Sequence, residues 1–148
     1  MIPSQACADL VKQFEGYSAT AYLCPARIWT IGYGHTAGVQ EGDTCDADQA
    51  NTWLLDDLTN ASRAVSQVAQ PSLSQNQFDA LTSFVFNVGS GNFANSHLAK
   101  YVAAEQYTLA AIEFPKWDHI DGAPSAGLFR RRMAEQAMFK GQSDGQET

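Results

Sequence analysis

Helical spacing of apolar residues stops at Gly16 and does not resume until Asp46. Before the break, Ile2, Ala6, Leu10, Val11 and Phe14 follow Pro3 and Ser4 at intervals that predict a short amphipathic helix over about residues 4–14. Inside the break, "TAYL" and "IWTIGY" are short β-prone runs divided by Pro25 and by Gly32, Gly34 and Gly38, a pattern that predicts a small antiparallel sheet. After it, helical spacing returns and persists. One helix, then a small sheet, then helices only is the pattern of an α+β chain.

The later helices announce their starts. Asp46 with Gln49 has the spacing of a capping box opening a helix through about Val68, and Ser74 with Gln77 opens another that carries Phe78, Leu81, Val85 and Val88. "NVGSGNF" breaks that second helix, Asn95 or Ser96 caps a shorter one over "HLAKYVAAE", and "TLAAIEF" is a further helical segment. "DGAPSAG" reads as a loop, the last helix runs from about Leu128 to Lys140 and ends at Gly141, and "QSDGQET" reads as a frayed tail. With 148 residues and no internal repeat, the expectation is one domain spanning 1–148.

Composition excludes several functions. A net charge of -7 is wrong for a nucleic-acid binder, since phosphate contacts need a basic footprint. The charge is uneven: six carboxylates and no Lys or Arg lie between Ile28 and Ser62, whereas five of the nine basic residues lie between Lys116 and Lys140. No window reaches the roughly 18 apolar residues of a membrane span, and "MIPSQACADLVKQFEG" has neither the basic nor the apolar region of a signal peptide. Cys7, Cys24 and Cys45 are odd in number and far apart, which fits a reducing cytosol and not a disulfide scaffold. They also lack the paired C-x₂-C spacing of a zinc site.

The chemistry-bearing residues of the break are Glu15, Cys24 and Thr30, with eight residues between the first two and five between the last two. Glycosidic bonds are commonly cut by a carboxylic acid that protonates the leaving oxygen and a second group that activates water or attacks carbon. Glu15 fits the acid. It closes the first helix, where the macrodipole disfavours a carboxylate, and the role needs a proton retained to a pKa of about 6 instead of about 4.3. Phe14, Tyr17 and Trp29 are available as apolar neighbours. Cys24 stands where a second acid would be expected, and a thiol with a pKa of about 8.5 needs a cation such as Arg27 to ionise at neutrality. The Thr30 hydroxyl suits orienting the attacking water. The plainer reading is a buried cysteine and an ordinary strand threonine. A Cys-His peptidase built from Cys24, His35 or His119, and Asn87 would leave Glu15 idle.

"FEGYSATAYLCPARIWTIGYGHT" closely resembles the phage-type lysozymes of glycoside hydrolase family 24, whose pattern is Glu, eight residues, Asp or Cys, five residues, Thr, then a GYGHT-like sequence. "LSQNQFDALTSFVFNVGSGNFANSHL" resembles the family's central helices, and "KWDHIDGAPSAGLFRRRMAEQAMF" its closing GL-x-x-RR-x-x-E pattern. The resemblance implies an endolysin, a muramidase hydrolysing the β-1,4 bond between N-acetylmuramic acid and N-acetylglucosamine in bacterial peptidoglycan. It implies a lysozyme-like two-lobed fold with the cleft between the lobes. The small sheet lobe would span about 15–50, the linking helix about 46–68, and the helical lobe about 69–141 together with helix 4–14.

No metal or organic cofactor is implied. The implied enzyme is a monomer made in the host cytoplasm that reaches the wall through a separate holin. Glu15, Cys24 and Thr30 take the catalytic positions, while Thr36, Phe86 and Ser96 align with sugar contacts and Arg131 is expected among the substrate-binding residues. His35 is expected to pair with Asp57. Arg130, Arg131 and Arg132 advance about 100° each along a helix and cannot all face one way, and the family pattern puts Arg131 near Glu15. Cys24 replaces the commoner Asp, which leaves base, nucleophile and water-holding roles open. Capture in a disulfide with Cys45 or Cys7 would silence such a thiol. The rivals are a lytic transglycosylase, which leaves a 1,6-anhydro end, and a non-catalytic wall-binding module.

Overall fold

The computed structural model describes residues 1–141, so the expected frayed tail "QSDGQET" lies outside the described residues. Helix α1 spans Gln5–Glu15 after the N-cap Ser4, and Gly16 ends it at φ 70°. An antiparallel pair follows, β1 (Ser18–Leu23) and β2 (Trp29–Gly32), with Tyr22 opposite Thr30 and Leu23 opposite Trp29. The other edge of β1 is covered by residues 43–45, where Ala21 donates to the Asp43 carbonyl and Cys45 to the Ala19 carbonyl, both at 2.9 Å. The small sheet is thereby completed by the chain that leads into the next helix.

Helix α2 (Ala47–Ser66) starts where expected, the Asp46 carboxylate accepting from the Gln49 N–H at 2.8 Å. Helix α3 (Gln75–Val88) opens on a full capping box, Ser74 and Gln77 each satisfying the other's backbone N–H. Phe78 to Val85 are buried without interruption, as a helix enclosed on all sides must be. Around it lie α4 (Ser90–Ala94), α5 (His97–Ala103), α6 (Tyr107–Glu113), a 3₁₀ turn at Phe114–Lys116, and α7 (Ala126–Phe139).

Two expectations are corrected. "DGAPSAG" is not all loop: β3 (His119–Ile120) and β4 (Ala123–Pro124) pair across Asp121 and Gly122, at φ 49° and 81°. Two successive left-handed residues, the second a glycine, are the turn that matches strand twist in a two-residue hairpin. Helix α7 also begins two residues earlier than Leu128, because the Ser125 hydroxyl caps the Leu128 N–H at 3.2 Å.

The main core gathers Phe78, Leu81, Phe84, Phe93, Leu98, Phe114 and Phe139 among the helices that follow α2. A second, smaller cluster of Cys7, Ala8, Val11, Leu54 and Leu58, with Tyr33 and Phe86 against it, lies where α1, α2 and the β hairpin meet. That second cluster welds the small lobe to the helices and sets the position of Glu15.

Candidate active site

Glu15 is the last residue of α1, and its side chain is 23% exposed. Arg131 on α7 donates from Nη1 to Glu15 Oε2 at 2.6 Å, and its guanidinium lies over the Phe14 ring at 5.9 Å. The other carboxylate oxygen faces the turn that follows β2. A Cβ built on Gly34 would stand 3.2 Å from Glu15 Oε1 and 3.9 Å from Phe86 Cζ. Gly34 sits at φ 85° in a tight turn closed by two 2.9 Å hydrogen bonds between Ile31 and His35. Only glycine supplies both that backbone angle and that space.

Next to Glu15 is a cavity of about 450 Å³, lined by Gln13, Phe14, Asn87, Gly127, Leu128, Arg130 and Arg131 as well. Asn87 and Leu128 also line a neighbouring cavity of about 410 Å³ walled by Asn92, Lys116, Trp117, His119 and Ile120. Glu15 therefore borders a trough of two adjoining cavities with aromatic and amide walls, a surface suited to sugars.

Cys24 follows Leu23, the last residue of β1, and Thr30 on β2 opposes Tyr22. The turn between the strands is built by backbone bonds, Arg27 donating to the Cys24 carbonyl at 2.7 Å and Cys24 to the Ile28 carbonyl at 3.1 Å. The Cys24 thiol is held below its ordinary value, chiefly by hydrogen bonding to the Ile28 backbone, with the Ala26 backbone and the Thr30 hydroxyl adding to the effect against partial desolvation. The expected cation is not the cause. Arg27 is exposed and serves the turn, in a left-handed conformation at φ 62°. Thr30 has one hydroxyl proton, donated here to the Ile28 carbonyl at 2.9 Å and within reach of Cys24, so it serves either acceptor.

The other expected residues divide. His35 Nδ1 lies 2.8 Å from Asp57 Oδ2, and the ring stacks on Trp53 at 4.6 Å, so its polar edge is committed to α2. Thr36 is exposed beside it, and Phe86 is half-buried under Gly34. Ser96 is 5% exposed and caps α5, as its position suggested, its hydroxyl donating to the Phe93 carbonyl at 2.6 Å and accepting from Ala99 at 3.0 Å. Its one proton is thus used inside the fold, and a single acceptor lone pair is left free. Arg131 is 3% exposed, holds Glu15 through Nη1 and also lines the cavity beside it.

The geometry also bears on a disulfide that would capture Cys24. Cys7 is fully buried against the Asp79 carbonyl, and Cys45 pairs with Ala19, five residues before Cys24 along extended chain. That separation is roughly 16 Å, well outside the reach of about 7 Å for a disulfide. Nor are the peptidase residues assembled, since His35 is bonded to Asp57, His119 to Asp118, and Asn87 to Arg132.

Sequence reasoning missed Glu135 and Ser83. Glu135 is 0% exposed; its Oε2 accepts from the Ser83 hydroxyl at 2.6 Å and from Arg131 Nε at 3.3 Å. Arg132 Nη1 is 3.2 Å from Glu135 Oε1 but out of line for a hydrogen bond, so this contact is Coulombic. Burial pushes the Glu135 carboxyl up, against the pull of Arg132, Arg131 and Ser83, and burial likewise pushes Arg132 down. The available signal was the R-R-x-x-E spacing, which puts the acid three and four residues beyond the two arginines.

A small sheet lobe welded to a helical lobe, with a carboxylate at the mouth of a trough, defines a lysozyme-class glycoside hydrolase. The phage lysozyme family model matches residues 12–135, and the chain belongs to that family. It is 38% identical to an endolysin of Acyrthosiphon pisum secondary endosymbiont phage 1, covering 88% of this chain and 92% of the relative. It is 42% identical to an endolysin of Bacillus phage PZA over 92% of this chain, but spans only 54% of that relative's length. Among solved structures, the muramidase domain of SpmX from Asticaccaulis excentricus superimposes with a TM-score of 0.86 at 38% identity, covering 92% of this chain and 95% of that one. A mutant P22 lysozyme gives 0.87 at 33% identity, covering 95% and 99%.

Proposed function

We propose that this chain is an endolysin muramidase that hydrolyses the β-1,4 bond between N-acetylmuramic acid and N-acetylglucosamine in peptidoglycan. The observation that carries the reading is Glu15 at the trough, with one oxygen held by Arg131 and the other turned to the Gly34 turn. Oε2 is committed as an acceptor, so Oε1 is the oxygen that carries the catalytic proton. As the bond between the anomeric carbon and the bridging oxygen breaks, that oxygen leaves with the electron pair and takes the Glu15 proton. Cys24, with its thiolate favoured by the Ile28 backbone and Thr30, serves either as the base that accepts a proton from attacking water or as the nucleophile that first bonds the anomeric carbon. Thr30 steadies the water. Thr36 and Phe86 contribute to the sugar surface, and Arg131 orients the acid.

A thiol lowered below its ordinary value beside a hydroxyl is suited to handling water, which a lytic transglycosylase does not need. This favours hydrolysis over the anhydro-forming reaction. Named relatives include endolysins and, at lower identity, a SAR-endolysin of Haemophilus phage HP1. No helix among the described residues is long and apolar enough to cross a membrane. Passage to the wall through a separate holin and action there as a monomer are part of the proposal on the family resemblance alone.

Sugar-end analysis of digested peptidoglycan tests the reading. Wild type should release reducing muramic acid ends, and Glu15→Gln should lower the rate about 10²–10⁴-fold while folding normally. A folded Glu15→Gln retaining more than about a tenth of the activity overturns the acid assignment. Anhydro ends overturn hydrolysis, and mass spectrometry of a trapped glycosyl adduct on Cys24 separates nucleophile from base.

A further inference from the structure

Arg131 meets Glu15 with one nitrogen while its other two are occupied elsewhere. Nη1 reaches Glu15 Oε2 at 2.6 Å, Nη2 reaches the Ser83 carbonyl at 3.3 Å, and Nε reaches Glu135 Oε2 at 3.3 Å. Glu135 is itself fixed, because Ser83 Oγ donates to the same Oε2 at 2.6 Å and Arg132 lies against Oε1. Arg132 in turn is stacked over Phe84 at 4.9 Å and bonded to Asn87, which lines the trough. Two adjacent guanidinium groups therefore enter the interior with two carboxylates, Glu15 at the trough and Glu135 beneath it.

A guanidinium is a rigid planar fork, so fixing Nε and Nη2 fixes where Nη1 points. We propose that Glu135, held by Ser83, is a positioning residue that acts through Arg131 to set the orientation of Glu15. The proposal rests on Glu15 being the acid. A purely structural Glu135 would neutralise Arg131 and Arg132 and affect folding only. A positioning Glu135 affects the chemical step, and does so only while Arg131 is present.

A double-mutant cycle separates the two. Initial rates of reducing-end release from soluble peptidoglycan fragments are measured for wild type, Glu135→Gln, Arg131→Met and the double variant, with circular dichroism to establish folding. The expected result is that Glu135→Gln lowers kcat by about tenfold with KM nearly unchanged, in the range of coupling within one hydrogen-bonded network. The pH–rate limb belonging to Glu15 should shift as well. In the Arg131→Met background the same substitution should change kcat by less than about twofold. An equal loss in both backgrounds, or a loss of thermal stability with kcat and pH profile intact, overturns the proposal. If Glu135→Gln does not fold, Ser83→Ala takes its place in the cycle, since it removes one donor from the same oxygen and leaves the charges. If Arg131→Met is too slow to time, an unshifted pH limb in the single variant overturns the proposal and a shifted one supports it. Glu15→Gln distinguishes the two levels: activity in that variant sinks the acid reading itself, whereas an inactive Glu15→Gln with an additive cycle sinks the positioning role alone.

Discussion

Replacing Gly34 by alanine tests the closeness of the hairpin to the acid. At φ +85°, an L-residue incurs about 1–2 kcal/mol of backbone strain. For a chain of this size that lowers Tm by roughly 2–4 °C per kcal/mol, or about 2–8 °C. The added methyl would also stand 3.2 Å from Glu15 Oε1, so the carboxylate must give by a few tenths of an ångström. Because Oε2 is held at 2.6 Å by Arg131, the carboxylate turns instead of retreating, and Oε1 is displaced from its native position. Misplacing a reacting group by 1 Å costs on the order of a hundredfold, so a few tenths, with a methyl beside the proton-bearing oxygen, should cost about tenfold. Gly38→Ala is the matched control: it lies at φ +71° with nothing within 4 Å of the added Cβ, so it bears similar strain without crowding. Thermal melts should show similar losses in the two variants, while reducing-end release should fall in Gly34→Ala alone. Equal activities would refute the reasoning.

For Cys24, a folded pKa below the ordinary 9.0 means that alkylation by iodoacetamide should reach half its maximal rate below that pH, and the midpoint should rise in denaturant. The associated stability is present above 9.0 and is lost as pH falls through the folded value. Cys7, pushed up by burial, should stay unlabelled until the chain unfolds; a native Cys24 midpoint at or above the unfolded one contradicts the geometry. Cys24→Asp should keep substantial activity and Cys24→Ala should lose most of it; wild-type lysis by folded Cys24→Ser and Cys24→Ala would reduce the thiol to packing. Asp57→Asn should destabilise by about 1–3 kcal/mol in denaturant melts, because it weakens the 2.8 Å contact to a mostly buried imidazole, and unchanged stability would dismiss the pair.

Capping chemistry is local, so Asp46 and Ser74 could be read directly, and each opens a helix where its spacing said it would. The β3–β4 hairpin was hidden although Asp-Gly is a strong hairpin signal, because two residues on either side are too few to show alternation. Helix α7 was blurred for a different reason. Its buried residues are Arg131, Arg132, Glu135 and Phe139, so the inward face is mostly charged and apolar spacing cannot outline it. Ser96 shows the converse limit. Its side chain is legible as a cap from sequence, but whether a hydroxyl is spent inside the fold depends on packing that no local pattern records. The same holds for the guanidinium of Arg131, whose three partners come from α1, α3 and α7.

Cys24 and Thr30 both lie within the single run of chain from Ser18 to Gly32, whereas Glu15 belongs to the preceding helix. No residue of β1 is fully buried, and the run is anchored at Ile31, at Gly32, whose backbone passes close to Ala50, and by the backbone bonds of Ala19 and Ala21 to residues 43–45. The hairpin is thus a cassette. A relative's run carrying Asp could be spliced between Gly16 and Tyr33 without repacking either hydrophobic cluster, leaving the acid and its arginine untouched. The proposed water-activating group can therefore drift between thiol and carboxylate over evolutionary time while the proton donor stays fixed, and an engineer can exchange the one without redesigning the other.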